Sequence, residues 1–304
     1  MFKQAKLLFL YTETPLHVGS GSSLGTVDLP IQRERHTNLP MVQSSGIKGK
    51  LRSALESNAL KNRNDIISTI FGSKTSEHAG ALSPGDGRII LFPVRSLAGV
   101  FAWITCPLVI NRLIRDLKLA NESQSWSIEV PENQALVPSN SGVVISGSVV
   151  LEEFSFTAVI DNEEAQNLAN WLAENALPSG NEYLFWKNKL KKDLVIISDD
   201  AFKDFCTFST DVVSRTKLNP ETKIVDKKTG ALWTEENLPA DALLYTPLFA
   251  SDPRNANKEG IPSEAIDAAT ILSTIQTSLT NAHSRLQLGG NENVGRGIVA
   301  TRVL

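Results

Sequence analysis

The order of predicted elements in the first 119 residues limits the fold of this 304-residue chain more than any other feature. Residues 5–13 are short, apolar and aromatic, which predicts a strand, and periodic apolar residues predict a helix over 45–60. Strands at 88–94 and 100–106 follow, and then a helix at 107–119 that opens on a proline. This order is most of a βαββαβ unit. We therefore predict an α+β, ferredoxin-like (RRM-like) palm.

The rest of the sequence fits a single domain, 1–304, whose palm is interrupted by a long insertion. A capped helix at 264–281 and a closing strand at 298–304 complete the palm, which we assign to 1–119 and 264–304. Residues 120–263 are assigned to insertions. They are predicted to contain a strand at 148–159, helices at 165–177 and 201–208, and an extended β-hairpin at 211–245.

Composition excludes several classes of protein. A hydrophobic fraction of 41% and a net charge of −3 exclude global disorder. The two cysteines, Cys106 and Cys206, cannot build a disulfide framework or a four-ligand zinc site, and their apolar surroundings predict burial. The apolar run at 7–11 is too short for a signal peptide, and the uncharged stretch at 96–110 is too short to span a bilayer. We expect a cytoplasmic protein with no membrane partner.

Two glycine-rich segments lie near opposite ends of the chain, at 17–30 and 288–297. Glycine allows a backbone to approach a phosphate closely with its N–H groups turned inward. Neither segment is a P-loop, because no Gly-Lys-Ser/Thr follows at the required spacing. The first segment follows the first strand and the second precedes the last strand. Because those strands are near each other in a βαββαβ sheet, we expect both segments to border one surface. Two unrelated turn loops remain the alternative.

Residues 33–52 are locally basic, with five Lys or Arg residues against one Glu. A groove for a ribose-phosphate backbone is one use of such a stretch, and a solvated helix face is the other. The predicted RNA-binding residues are Gly19, Ser20, Gly21, Arg33, Ser44, Ser45, Lys48, Lys50, Arg52, Gly290, Asn291, Gly295 and Arg296.

Four strings taken together resemble the RAMP proteins of CRISPR systems. They are TPLHVGSG at 14–21, DLPIQRE at 28–34, PMVQSSGIKGKLR at 40–52 and LQLGGNENVGRG at 286–297. The string at 28–34 is most similar to the backbone subunits of type III-B (Cmr) effector complexes. The joint set of motifs is specific, whereas a single glycine loop is not.

The resemblance implies a filament of copies of this chain along a CRISPR guide RNA. It also implies a complex with a large Cas-ten-type subunit, a small subunit and other RAMP subunits. A hairpin, the thumb, would pass through the guide–target duplex and displace one nucleotide at regular intervals. In-line attack by a target 2′-OH on the adjacent phosphate then becomes possible, which stacked A-form RNA does not offer. We place the thumb at 211–245, with thumb residues Lys217, Leu218, Asn219, Trp233 and Glu235.

Asp28 is the predicted catalytic residue, by its match to the loop aspartate of the family. It would accept the 2′-OH proton or hold a transient Mg²⁺ or Mn²⁺ ion near the phosphate. The alternative is an aspartate that caps the turn before Leu29. His17 is a second predicted catalytic residue, as acid, base or phosphate ligand, with a structural role as its alternative. Glu235 and Glu236 are expected to form a solvated acidic turn, although the family has supporting acidic residues near the thumb.

The main hypothesis is therefore a metal-dependent endoribonuclease that acts on target RNA within the assembled complex. A non-catalytic RNA-binding scaffold is the first alternative. The second is a stand-alone endoribonuclease that processes precursor CRISPR RNA without metal. A small-molecule enzyme that binds a nucleotide is disfavoured, because the glycine segments lack the lysine and acidic partner of nucleotide sites.

Overall fold

A computed structural model describes residues 2–75, 78–217, 221–222, 224–225, 232–254, 261–280 and 284–304. The strands within these residues are β1 Gln4–Thr12, β2 Met41–Val42, β3 Leu82–Pro84, β4 Gly87–Arg95, β5 Phe101–Thr105, β6 Gln134–Leu136, β7 Val144–Ile145, β8 Ser148–Leu151, β9 Phe154–Val159, β10 Leu194–Ile196, β11 Asp211–Thr216, β12 Leu232–Asn237, β13 Leu243–Ala250, β14 Arg285–Gln287 and β15 Ile298–Val303.

The α-helices within the same residues are α1 Ser44–Ser57, α2 Asn64–Phe71, α3 Pro107–Leu119, α4 Glu163–Asn175, α5 Leu184–Asp193, α6 Asp199–Phe208 and α7 Ala268–Thr280. None of these described helices combines the length and the apolar composition needed to cross a bilayer.

The centre of the main sheet has the strand order β15-β1-β13-β4, and each neighbouring pair is antiparallel. Helix α1 lies in the chain between β1 and β4, and helix α7 lies between β13 and β15. The chain therefore follows a βαββαβ path through these four strands. The predicted α+β class is confirmed, and the strand order is consistent with a ferredoxin-like palm.

The third strand and second helix of this palm are not the ones predicted. We expected β5 and α3 in those places, but β13 lies between β1 and β4, with Tyr245 opposite Phe9. The palm assignment to 1–119 and 264–304 is wrong at this point, because 243–250 belongs to the palm and the insertion runs over 96–242. Local sequence favoured β5, since it follows β4 directly and pairs with it.

Three smaller predictions are also corrected. The single strand predicted at 148–159 is a hairpin of β8 and β9, which turns at Glu152 with φ of 48°. Helix α2 lies in a region to which no element was assigned. Helix α7 begins at Ala268 rather than 264, because the Asp267 carboxylate accepts from the backbone N–H of Thr270 at 2.8 Å and caps it there.

The core lies on both faces of the palm sheet, since β1 is buried over 7–11 without alternation. On one face, Phe9 contacts Trp171 of α4, and the hydroxyl of Tyr245 donates to Asp116 of α3 at 2.9 Å. The predicted burial of Cys106 and Cys206 is confirmed, and both thiols are free. The order of strands β15, β1 and β13 brings the two glycine-rich segments to the same end of the palm.

Candidate nucleic-acid interface

The two glycine-rich segments are in direct contact. The backbone N–H of Gly290 donates to the carbonyl of His17 at 2.9 Å, and that of Gly297 donates to the carbonyl of Pro15 at 3.0 Å. The bond from Gly297 continues the antiparallel pairing of β1 with β15 beyond the ends of both strands, and the bond from Gly290 joins the loop before β15 to the loop after β1. The structure thus places the two segments on one surface, as the predicted strand order required.

His17 is enclosed by glycines of both segments, and two of them leave no room for a side chain. A Cβ atom on Gly289, whose φ is +70°, would lie 2.2 Å from the His17 carbonyl oxygen. A Cβ atom on Gly19 would lie 2.9 Å from Nε2 of the His17 ring. The glycines therefore allow the two loops to close around this histidine.

A shallow groove connects the two glycine segments with the start of α1. Its lining includes the predicted RNA-binding residues Gly19, Ser45, Lys50 and Gly290. The first turn of α1 has no side-chain cap. The backbone N–H of Ser44 donates instead to the Asp86 carboxylate at 2.8 Å. Ser20 and Gly21 are exposed in the first glycine segment.

Lys48 lies on α1 outside the residues that line the groove, near Arg52 and Arg254. Among the described residues no carboxylate forms an ion pair with it. Burial, and then the charges of Arg254 and Arg52, lower the pKa of Lys48. Arg52 itself is engaged, since it donates to Glu56 at 3.0 Å and to the carbonyl of Gly72 at 3.1 Å. Lys48 therefore lies beside other positive charge, whereas Lys50 is the α1 cation within the groove.

Two other predicted RNA-binding cations are held by protein groups. The Lys50 ammonium donates to Gln287, beside the second glycine segment. The Arg33 guanidinium donates to the carbonyl of Cys206 at 2.9 Å and forms an ion pair with Glu236. With its side chain only 15% exposed, Arg33 has the contacts of a structural residue. These contacts give no support to the predicted phosphate contact of Arg33.

Asp28 is exposed and lies against the thumb strand β12. Its Oδ2 atom accepts hydrogen bonds from the backbone N–H of Thr234 at 2.7 Å and from the Thr234 hydroxyl at 2.8 Å. These two bonds, the backbone bond first, hold the pKa of the Asp28 carboxyl below its usual value. Lowering the pKa makes this carboxylate a weaker proton acceptor. Its environment favours binding a cation over abstracting a proton.

The ring of His17 is nearly buried and its tautomer is fixed by the backbone of β12. Its Nδ1 atom lies 2.7 Å from the carbonyl oxygen of Glu236. Because a carbonyl oxygen only accepts hydrogen bonds, Nδ1 must carry a proton. In the neutral ring, Nε2 is then the nitrogen that can accept one.

Asp28 and His17 are both hydrogen-bonded to strand β12. Asp28 is bonded to Thr234, and His17 is bonded to Glu236, two residues further along. At 3.3–3.4 Å of rise per residue, the two attachment points are roughly 7 Å apart. The strand between them carries Glu235, whose carboxylate accepts from the Asn291 amide of the second glycine segment at 2.7 Å.

The expectation of a solvated acidic turn at Glu235 and Glu236 is wrong. They lie inside β12, and they are 3% and 5% exposed. Arg215 donates to the Glu235 carboxylate at 3.1 Å, and Arg33 pairs with Glu236. The Glu236 carboxylate also accepts from the backbone N–H of Ile31 at 3.0 Å. Paired charges make this burial possible. The contacts of Glu236 join residues 31–33, which follow the first glycine segment, to the thumb.

The thumb hairpin is shorter than predicted. Strands β11 and β12 pair over 211–216 and 232–237, whereas 243–245 lies in palm strand β13, so the prediction of 211–245 is wrong at its end. Lys217 is exposed, Trp233 is partly exposed, and Glu235 lies at the base of the hairpin. Leu218 and Asn219 lie outside the described residues.

The second glycine segment also reaches the base of the thumb. Asn291 adopts a left-handed backbone with φ of 62°, and its amide bonds to Glu235. Burial raises the pKa of Asp211, the first residue of β11, and the charge of nearby Arg296 opposes that change. Gly295 is exposed beside Arg296.

A metal site built wholly by this chain is absent from the described residues, which hold no group of three or more His, Cys, Asp or Glu side chains arranged for an ion. Asp28 supplies a single exposed carboxylate. Mg²⁺ is commonly held by one or two carboxylates together with waters and phosphate oxygens. The donor set therefore fits an ion shared with bound RNA and does not fit a closed zinc site.

Sequence reasoning missed the residues that organise the site. Thr234 lies 206 positions from Asp28, and Thr210, whose hydroxyl donates to Glu236 at 2.8 Å, received no role. Arg215 was also unassigned. No local pattern marks these side chains, because each acts through a partner from a distant segment.

Comparisons with known proteins agree with this architecture. Residues 9–300 match the sequence model of the RAMP superfamily. The CRISPR system Cmr endoribonuclease Cmr4 of Pyrococcus furiosus is 39% identical over 299 residues, which cover 97% of this chain and 94% of that protein. A crystal structure of oligomeric Cmr4 from Pyrococcus furiosus has a TM-score of 0.72 and 33% identity, covering 99% of this chain and 97% of the other. A cryo-EM structure of the Type III-B Cmr-beta bound to cognate target RNA shares the fold, with a TM-score of 0.74 and 21% identity over 99% of this chain and 98% of the other. The match spans almost the whole sequence, and the chain belongs to the RAMP superfamily.

Proposed function

We propose that this chain is the backbone subunit of a type III-B CRISPR effector and an endoribonuclease that cleaves complementary target RNA at regular intervals. Similarity over nearly the full length to a Pyrococcus furiosus protein named as a Cmr endoribonuclease supports the activity. The observation that carries the proposal is the attachment of Asp28 and His17 to one strand of the thumb, next to the glycine groove. Such an enzyme would work in the cytoplasm.

The guide RNA is proposed to lie along the groove between the glycine segments and α1. Glycine backbone at 19 and 289–290 lets a ribose-phosphate strand approach closely, and Lys50, which lines the same groove, supplies positive charge. A groove of this kind reads backbone rather than base sequence, which suits a subunit that must accept any guide.

The chemistry proposed for the target strand is attack by its own 2′-OH on the adjacent phosphorus. The bond from phosphorus to the 5′-oxygen breaks and the leaving oxygen takes a proton from water, which gives a 2′,3′-cyclic phosphate and a 5′-hydroxyl. Nε2 of His17 is the proton acceptor for the 2′-OH, since its tautomer leaves that nitrogen unprotonated. The Asp28 carboxylate, charged at neutral pH, would hold Mg²⁺ or Mn²⁺ against the phosphate, where the ion offsets developing negative charge.

The proposed partners are guide RNA, target RNA and further copies of the same chain. The related Pyrococcus furiosus protein is oligomeric in its crystal structure, which supports assembly of copies. A large Cas-ten-type subunit, a small subunit and other RAMP subunits would complete the effector. This assignment rests on the likeness to proteins of Cmr complexes.

Cleavage by the assembled complex tests the proposed function. A complex with a defined guide should cut an end-labelled complementary RNA into regularly spaced products when Mg²⁺ is present, and leave a non-complementary RNA intact. EDTA should stop the reaction. A target with a single 2′-deoxy sugar at one cut should lose that product alone, because the attacking oxygen is missing there. A complex that holds both RNAs and never cuts would overturn the endoribonuclease and leave the scaffold function.

Replacing Lys50 by Ala should reduce the salt dependence of guide RNA binding, because Lys50 lines the groove. Each phosphate contact contributes about 0.7 to the slope of log affinity against log salt for single-stranded nucleic acid, so we expect a decrease of about 0.7. Binding of a labelled RNA of guide length, measured over a series of salt concentrations, gives the slope.

Lys118→Ala is the matched control, because Lys118 is an exposed lysine near the end of α3 and lines no part of the groove. It removes the same charge and should leave the slope at the wild-type value. Equal slopes for wild type and Lys50→Ala would count against placing the guide in this groove.

A further inference from the structure

The segment that carries Asp28 is bound to the thumb rather than to the palm. The backbone N–H of Asp28 donates to the Thr234 hydroxyl at 2.9 Å, and the backbone N–H of Leu29 donates to the Thr234 carbonyl at 3.0 Å. Leu29 also forms a parallel bridge with Glu235. Residues 28–29 therefore extend the β11–β12 hairpin at its free edge, and Asp28 moves with β12.

One side chain on that strand fixes the carboxylate itself. The Thr234 hydroxyl accepts from the Asp28 backbone and donates to Asp28 Oδ2, while the Thr234 backbone N–H donates to the same oxygen. Threonine is β-branched and has few χ1 rotamers, so the hydroxyl is held in place. An exposed aspartate without these bonds would sample several rotamers.

On the basis of the proposed function, we propose that Thr234 is a positioning residue for target cleavage. It commits Oδ2 of Asp28 to the thumb and so sets where the charged carboxylate stands relative to the hairpin that opens the duplex. The thumb hairpin and the Asp28 carboxylate then reach the target phosphate together, because they are bonded to each other. Nothing in this role requires Thr234 to touch RNA.

Thr234→Val and Thr234→Ser test the proposal in the assembled complex with guide RNA and Mg²⁺. Valine keeps the branched shape and removes the hydroxyl, whereas serine keeps the hydroxyl. We expect Thr234→Val to lower the single-turnover cleavage rate roughly tenfold, as for loss of one hydrogen bond to a charged group, with target affinity unchanged. Thr234→Ser should restore the rate.

Thr270→Val is the matched control, because the Thr270 hydroxyl and backbone N–H bond to exposed Asp267 in the same way, outside the site. It should cleave like wild type. A Thr234→Val complex with the wild-type cleavage rate would overturn the proposal, as would equal impairment of the Val and Ser variants. Asp28→Asn distinguishes failure of the catalytic assignment of Asp28 from failure of the positioning role of Thr234. If it still cleaves, the catalytic assignment and this inference both fail. If it is inactive while Thr234→Val is normal, only the positioning role fails.

Discussion

Target cleavage should be lost when Asp28 is replaced by Asn, while guide and target remain bound at wild-type affinity. The asparagine amide would keep the size of the side chain and an oxygen that can accept from Thr234, so the thumb contact survives. The substitution removes only the negative charge. Loss of a group that stabilises charge at a reacting phosphate typically costs a hundredfold or more in rate, and we expect a decrease of about that size or greater. Single-turnover cleavage with excess complex measures it.

Asp267→Asn provides an unusually close control for this experiment. Asp267 is also exposed, and hydrogen bonds from the backbone and hydroxyl of a threonine also lower its pKa. Its charge caps α7, away from the groove. If both variants cut normally, Asp28 is not catalytic. If both lose cleavage equally, net charge rather than position explains the effect.

Asp28 and Asp267 have similar hydrogen bonds but lie in different surroundings. A low pKa and a threonine partner are shared by both, so neither property identifies catalysis. The difference lies in the element that bears the threonine. Thr270 belongs to the same helix end as Asp267, whereas Thr234 belongs to a hairpin that also holds His17 and, through Glu235, the second glycine segment.

Elements with a strong local pattern could be predicted from the sequence, and those that depend on distant partners could not. Strand β1 and helices α1 and α3 lie close to their predicted positions, because apolar spacing and a proline at the first turn act within a few residues. Strand β13 was taken for part of a hairpin, since nothing local shows that a strand after a long insertion returns between β1 and β4.

Within the site, too, some features could be predicted from the sequence and others depend on distant partners. Contact of the glycine segments followed from the adjacency of the first and last strands in a βαββαβ sheet. Burial of Glu235 and Glu236 did not follow, because a run of polar residues such as TEEN at 234–237 is typical of a solvated turn. Only the pairing with Arg215 and Arg33 makes that burial possible, and those partners lie in other segments.

The second large effect is expected on stability, from Gly289→Ala. The residue has φ of +70°, and a Cβ atom there would lie 2.2 Å from the His17 carbonyl oxygen. A left-handed backbone costs an L-residue about 1–2 kcal/mol, and overpacking adds about 1–3 kcal/mol, so the free energy of unfolding should fall by roughly 3 kcal/mol. Urea denaturation followed by tryptophan fluorescence would measure the loss.

Gly295→Ala separates the two contributions to that loss. Gly295 also has a left-handed backbone, with φ of +76°, but nothing lies within 4 Å of its Cβ position. This variant should lose only the backbone part, about 1 kcal/mol. The excess for Gly289 then measures how strongly the second segment is pressed against the first. Since Gly290 holds the His17 carbonyl from the next position, Gly289→Ala should also weaken guide RNA binding more than Gly295→Ala does. Equal losses of stability in the two variants would mean that closure of the loops around His17 does not require a glycine at 289.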